Sequence, residues 1–276
     1  MHRVSRAHRD ILVAMNKRGF TLVELLVVMS IMMVLSSVIL VSVQAARDKS
    51  RIAAGLRFEK HTQTAFADNI LARYDFENIP CTGTLPQIPD TSRPNGLTLI
   101  PPGGTESDCA VLSTQTPTGE GRSYNMALNS IQYSFLSWDS GGIRATDKPF
   151  TKFSIGFWAK SAGFPITLLE LHGDASGFTF STDNPSNNGY LDVQGASTVQ
   201  LGKLVLADDK WHYNLISIAG TKLNFYRDGV FVSSINVPGY SNAQNTGIDA
   251  VALLSEGAAV GKTFFLDNLV FIGEAI

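Results

Sequence analysis

Apolar and polar positions divide this chain into three regimes. From Phe20 to Val43 (FTLVELLVVMSIMMVLSSVILVSV) the positions are overwhelmingly apolar, with one charge, Glu24, and neither Pro nor Gly. At about 1.5 Å per residue this run makes a helix of about 36 Å, enough to cross a bilayer core of about 30 Å. From Gln44 to Tyr74 the pattern turns amphipathic: Ile52, Leu56, Phe66 and Ile70 fall on one helical stripe. Arg47, Lys49, Arg51, Arg57 and Lys60 alternate with Asp48, Glu59 and Asp68, as on a solvated face. The pattern predicts one helix from Phe20 to about Leu71, with Gly55 as a flexible point inside it.

Beyond the helix the period changes to two. Short alternating runs are separated by Gly, Asn, Asp and Pro clusters. Predicted strands are 70–76 (in competition with the helix end), 131–138, 153–160, 166–172, 178–182, 190–193, 199–206, 212–219, 222–227, 230–236, 250–254 and 264–272. Arg227-Asp228-Gly229 between two apolar runs is a hairpin signal. About a dozen strands without a helical pattern predict one β-sandwich. The expected fold class is therefore α+β, a long N-terminal helix followed by an all-β head.

Charge adds a direction. Residues 1–19 hold five of the 22 Lys and Arg and one of the 24 acids, so the chain after Gly19 carries 17 basic and 23 acidic side chains, a net −6. The basic flank precedes the apolar run, so the positive-inside rule keeps residues 1–19 cytoplasmic and exports the head. An acidic exported chain argues against nucleic-acid binding, which needs a basic surface. In an exported chain the two cysteines, Cys81 and Cys109, are expected to form a disulfide, the alternative being two buried thiols. The loop they close is rich in Pro, Gly, Ser and Thr, and such a staple is worth on the order of 3 kcal/mol.

Lys17-Arg18-Gly19-Phe20-Thr21-Leu22, followed by Glu24 in the apolar run, resembles the class III leader of type IV prepilins and type II secretion pseudopilins. A secretory signal peptide would instead place small residues after a shorter apolar core. The resemblance covers roughly the first 70 residues. It implies cleavage by the prepilin peptidase between Gly19 and Phe20, and N-methylation of the new Phe20 amine. It also implies that Glu24 aligns the subunit during assembly by pairing with a neighbour's N-terminal amine; an acid in hydrocarbon needs a partner or a role. The leader is thus 1–19 and the pilin helix 20–72, with its transmembrane part 20–43. Met15 to Gly19 would make a complete short leader, so translation is expected to be able to begin at Met15 as well as at Met1. Major pilins often carry a Pro and a Gly where Val41 and Met33 stand here, so a low-copy subunit is expected.

The head, 73–276, resembles a second family. Phe153 to Lys160, Asp209-Lys-Trp-His-Tyr-Asn-Leu215, Asn224-Phe-Tyr-Arg-Asp-Gly229 and Phe265 to Ile272 are similar, in order, to strands of laminin-G-like, concanavalin A-like jelly rolls. Ala72 to Glu77 resembles their opening strand, which pairs with the closing one. The family mainly binds glycans or proteins, and some members cleave glycans. The paired-acid strand pattern of the cleaving members is absent: Glu170 and Asp174 would sit about 13 Å apart along a strand, too far for a carboxylate pair. No catalytic grouping stands out among the three histidines of the processed chain, and the expected role is not enzymatic.

Binding candidates follow from the loops. Asp174, Asp183, Asn187 and Asn188 supply the hard oxygens that suit a rim calcium ion, the only cofactor expected, though Asp and Asn are also ordinary turn residues. Trp138 and Tyr240 are the aromatic residues best placed to meet a ligand, while Trp158 and Trp211 lie in apolar strands and are expected in the core. The sequence therefore predicts a minor pilin-like subunit. Its partners are the prepilin peptidase, other pilins, the inner membrane and a glycan or protein ligand, and it passes from the inner membrane to a periplasmic or surface filament. A minor pseudopilin of a type II secretion system and a membrane-tethered glycan hydrolase remain the alternatives.

Overall fold

The computed structural model describes residues 19–77, 79, 88–92, 99–100, 112–127, 135–138, 143–144, 152–161, 166–172, 178–182, 188–193, 199–203, 208–236, 247–248, 250–254 and 263–276. Helix α1 runs Leu22–Ala65 and is long and apolar enough to cross a membrane. Ser30, Ser37 and Ser42 in the apolar run donate their hydroxyls to the carbonyls of Val27, Val34 and Ile39. Three of the four serines in the run are thus satisfied within the helix, as hydrocarbon requires. The helix ends at Ala65 and not near Leu71: a short 3-10 turn, Ala67–Asn69, leads straight into a strand. Ile70 satisfies a helical stripe, but pairing with Ile272 across a sheet claims it first.

The chain forms two units, Met1–Asp48 and Lys49–Ile276, so the second half of α1 belongs to the head. The strands are β1 Ile70–Tyr74, β2 Leu99–Ile100, β3 Leu112–Ser113, β4 Ser123–Ala127, β5 Phe135–Trp138 and β6 Ile143–Arg144. They continue as β7 Lys152–Ser161, β8 Ile166–His172, β9 Phe178–Thr182, β10 Asn188–Val193, β11 Val199–Lys203 and β12 His212–Ala219. The last are β13 Lys222–Arg227, β14 Val230–Asn236, β15 Gly247–Ile248, β16 Ala250–Leu254 and β17 Thr263–Ile272.

Two large antiparallel sheets result, and β6 and β15 pair apart from them as a short antiparallel ribbon. The first has the order β14-β13-β12-β7-β17-β4-β3, with β1 also paired to β17; the second has the order β11-β10-β9-β8-β16-β5-β2. Strand β17 organises the first sheet. On one side it pairs with β7; on the other, Thr263 to Leu266 pair with β4 and Leu269 to Ile272 pair with β1. The change of partner falls at Asp267-Asn268, where the register shifts and Asn268 takes a left-handed φ of 49°.

The centre of the first sheet is buried on both faces, which is why β12 reads as a continuous run of buried residues rather than an alternation. Phe153, Ile155 and Phe157 of β7 share one face with Ile216, Ile218, Leu223 and Phe225, all nearly or fully buried and all apolar. The other face carries Trp158, Tyr213, Leu215 and Phe265, and the half-buried Ile52, Leu56, Phe58 and Ile276 pack on that cluster. The head-side part of α1 is therefore a cover for this sheet. The β13–β14 hairpin turns at Asp228-Gly229, with φ of 51° and 81°, the two positive angles of a type I′ turn.

Candidate functional site

Gly19 and Phe20 precede the helix in an open stretch, and Phe20 is 80 % exposed. Thr21 and Glu24 then close a capping box: the Thr21 N–H and hydroxyl both donate to Glu24 Oε2 at 2.9 Å, and the Glu24 N–H donates to Thr21 Oγ1 at 3.2 Å. Glu24 thus has a local job in the single chain: it fixes where the helix starts, one residue past the Phe20-Thr21 peptide. Both of its accepted bonds fall on one oxygen.

A second polar site lies under the head-side half of α1. Glu59 faces inward and is buried; the Trp158 indole N–H donates to its Oε2 at 2.8 Å and the Gln63 amide to its Oε1 at 3.1 Å. One turn earlier Gly55 touches the same indole: a Cβ there would sit 2.5 Å from Trp158. The inward stripe is therefore Ile52, Gly55, Leu56, Glu59 and Thr62. This corrects the sequence pattern in two places, since Glu59 is not on the solvated face and Gly55 is a close-packing contact and not a flexible point. Burial pushes the Glu59 carboxyl up, against the Trp158 bond, the Arg73 charge and the Gln63 bond, which pull it down. The fully buried Tyr213 hydroxyl beside it has no described hydrogen-bond partner.

The Asp228 turn is tied into the same region. Tyr213 N–H donates to Asp228 Oδ1 at 3.0 Å and Asp228 N–H donates to the Tyr213 carbonyl at 2.8 Å. His212 is 6 % exposed and sits between two acids, Nδ1 at 2.6 Å from Asp228 and Nε2 at 3.1 Å from Asp208. Burial alone would push Asp208 up, but the His212 bond and charge, the Arg227 charge and the Lys210 N–H outweigh it and hold its carboxyl below the ordinary range. Arg227 stands 3.8 Å from Asp208 and Arg51 3.9 Å from Asp228, so the group ties the loop before β12 to the β13–β14 turn and to α1.

Of the residues predicted to bind, the structure fixes few. Trp138 ends β5 and Asn188 opens β10. Asp174, Asp183, Asn187 and Tyr240 lie outside the described residues, as do Cys81 and Cys109. Glu170 lies in β8, while Asp174 again lies outside the described residues. Among the described residues no group of three or more His, Cys, Asp or Glu side chains could hold a metal ion. Trp158 and Trp211 are core residues, 0 % and 7 % exposed. The sequence reading missed the Glu59–Trp158 bond, for which the one available signal was an acid at helical spacing from Ile52 and Leu56.

The family description "Prokaryotic N-terminal methylation motif" matches residues 14–40. The chain carries a type IV prepilin motif. No curated protein matches the chain. Solved structures match the rest by fold. The binding domain of Paraclostridial Mosquitocidal Protein 1 is 14 % identical with a TM-score of 0.55, over 76 % of this chain and 50 % of that one. The botulinum neurotoxin serotype G binding domain is 12 % identical with a TM-score of 0.52, over 75 % and 48 %. A botulinum neurotoxin type C structure is 10 % identical with a TM-score of 0.54, over 78 % and 50 %. The chain spans about half the length of these structures. The likeness is one of fold: the prepilin segment leads into a jelly-roll β-sandwich.

The head contains one acid whose titration should be visible. Asp267 lies at the β17 partner change, opposite Trp158 and buried. Burial pushes its carboxyl from the ordinary 3.8 to about 8; the Asn268 N–H opposes the shift and the charges of Glu77, Glu59 and Asp75 add to it. The folded head therefore keeps this proton across a window in which the unfolded chain releases it. Stability is expected to fall as pH rises from about 4 to about 8 and to level off above. Glu59, also raised, acts in the same sense. Asp267→Asn should flatten the dependence and stabilise the head at about pH 8, read as the denaturation midpoint at about pH 5 and about pH 8.

Proposed function

We propose that the chain is a minor type IV pilin-like subunit. It is cut between Gly19 and Phe20, methylated on Phe20 and assembled through α1 into a filament, with an exported head that acts by binding. The observation that carries this reading is the join itself: a methylation motif at residues 14–40 runs without a break in α1 into a sandwich of the kind used by binding domains. Glu24 is the assembly residue in this reading. Binding rather than catalysis is favoured because the acids beside His212 are already engaged, Asp208 with Arg227 and Asp228 with the Tyr213 N–H and Arg51. The proposed ligand is a glycan or a protein. A glycan is supported by the type C neurotoxin, which depends for entering cells on interaction with two ganglioside molecules. Trp138 and Tyr240 are the proposed contacts, and Asp174, Asp183, Asn187 and Asn188 the proposed place for calcium.

N-terminal mass spectrometry of the protein recovered from membrane and filament fractions tests the reading. The expected species begins with methylated Phe20 and is enriched in filaments. A chain that keeps Gly19 and stays in the membrane fraction would make this a tethered binding domain and not a pilin.

A further inference from the structure

Outside the apolar run of α1, three consecutive large hydrophobic residues are left exposed among the described residues: Val230 at 66 %, Phe231 at 53 % and Val232 at 40 %. They open β14, the edge strand of the first sheet. A register shift beside Tyr226 leaves Val232 without a facing residue on β13, which breaks the alternation of the strand, and the three exposed residues make an apolar finger along the sheet edge. An exposed apolar run on an edge is a feature that proteins ordinarily suppress, and its retention points to a surface it meets.

Two further observations say which surface. First, the finger is fixed to α1: Phe231 packs edge-on against Tyr226, which lies against Phe58, and Asp228 at the turn faces Arg51 at 3.9 Å. Arg51 is eight residues past Val43. Eight residues reach about 28 Å at full extension, so the finger is tethered close to the end of the apolar run whatever path the chain takes. Second, residues 47–60 hold Arg47, Lys49, Arg51, Arg57 and Lys60 against only Asp48 and Glu59, and Glu59 is occupied by Trp158. Arg47, Lys49, Arg57 and Lys60 are exposed. Apolar and aromatic side chains beside a cationic collar suit an anionic lipid surface: the former enter the acyl boundary and the latter meet headgroup phosphates.

We propose that Val230, Phe231 and Val232 dock the head onto the anionic phospholipid surface of the membrane that its own helix spans. The proposal rests on the membrane-spanning reading of residues 20–43 and on nothing about cleavage or ligand. The tether raises the effective concentration of lipid at the finger, so an affinity too weak to hold a free head suffices. Docking would keep the head flat on the exported side of the membrane until assembly lifts it.

The test uses the full chain in nanodiscs at one copy per disc, made with anionic lipid brominated near the headgroup. Phe231→Trp is compared with Ser234→Trp, an exposed position further along the same strand, each after subtraction of the wild-type signal. The expected result is blue-shifted emission from Phe231→Trp that the brominated lipid quenches, with little quenching of Ser234→Trp and release of Phe231→Trp at high salt or in zwitterionic discs. Val230→Trp gives the same reading if Phe231→Trp does not fold. Equal, weak quenching at both positions overturns the proposal. So does a blue shift that appears only in assembled filaments, because the finger would then meet a second copy of the chain and not lipid.

Discussion

Glu24→Ala is expected to be cleaved after Gly19 as the wild type is, and then to be lost from filaments. The proposed cleavage site, Gly19 and Phe20, lies outside α1 in an open stretch and makes no described bond to Glu24. In the proposed function it is assembly that uses the acid. In the single chain Oε2 caps Thr21 twice, leaving Oε1 to meet a positive amine without breaking the cap. Losing the side chain therefore removes a cap of modest value and a charge that nothing else in the apolar run can replace. Glu24→Gln separates the two, since its amide oxygen keeps the hydrogen bonds without the charge. N-terminal mass spectrometry with filament fractionation reads both variants. Glu24→Gln that enters filaments at the wild-type level would show that capping suffices and that no charge pair is needed.

Trp158→Ala should have the largest effect on the head. The residue is fully buried, packs on Tyr213 with ring centroids 5.6 Å apart, touches Gly55 and holds Glu59. Removing so large a buried side chain costs about 3–5 kcal/mol, and stranding an acid in the cavity adds to it. Domains of this kind are stable by only about 5–15 kcal/mol, so most of the margin goes. Circular dichroism during denaturation of the full chain in detergent should show a much earlier sheet transition while the apolar helix persists. Trp158→Phe, which keeps the ring and loses the N–H, should fall between; if it is as damaging as Trp158→Ala, the Glu59 bond and not the volume dominates.

Much of this was legible in the sequence. The long apolar helix, β8, β9, β12, β13, β14 and β16 stand where periodicity places them, because each is either strongly apolar or bounded by turn residues. Asp228-Gly229 announced its hairpin because so few residue pairs accept two positive φ angles. Strand β4, Ser123–Ala127, gave no such signal: SYNMA is short and half polar, and it becomes a strand because β17 offers it an edge. The helix end was read late for the same reason. Glu59 was misplaced because a pattern of charges says which residues like water, not which face a sheet will cover. Its burial is tolerated only through a donor on Trp158, far away in sequence.

The way β17 is shared has a consequence for how the head matures. Ile70 of β1 pairs with Ile272, and β4 and β7 pair along the same strand, so three segments of the first sheet wait for residues 263–272. If the head is exported as proposed, the earlier segments reach the far side of the membrane first and find that edge missing. Until residue 272 has crossed, Tyr74 and Phe271 cannot meet, and a growing length of apolar strand stands unpaired beside a helix already lodged in lipid. The period of greatest exposure to proteases and to neighbouring nascent chains is therefore set by the time of translocation, and it ends abruptly with the arrival of a single strand.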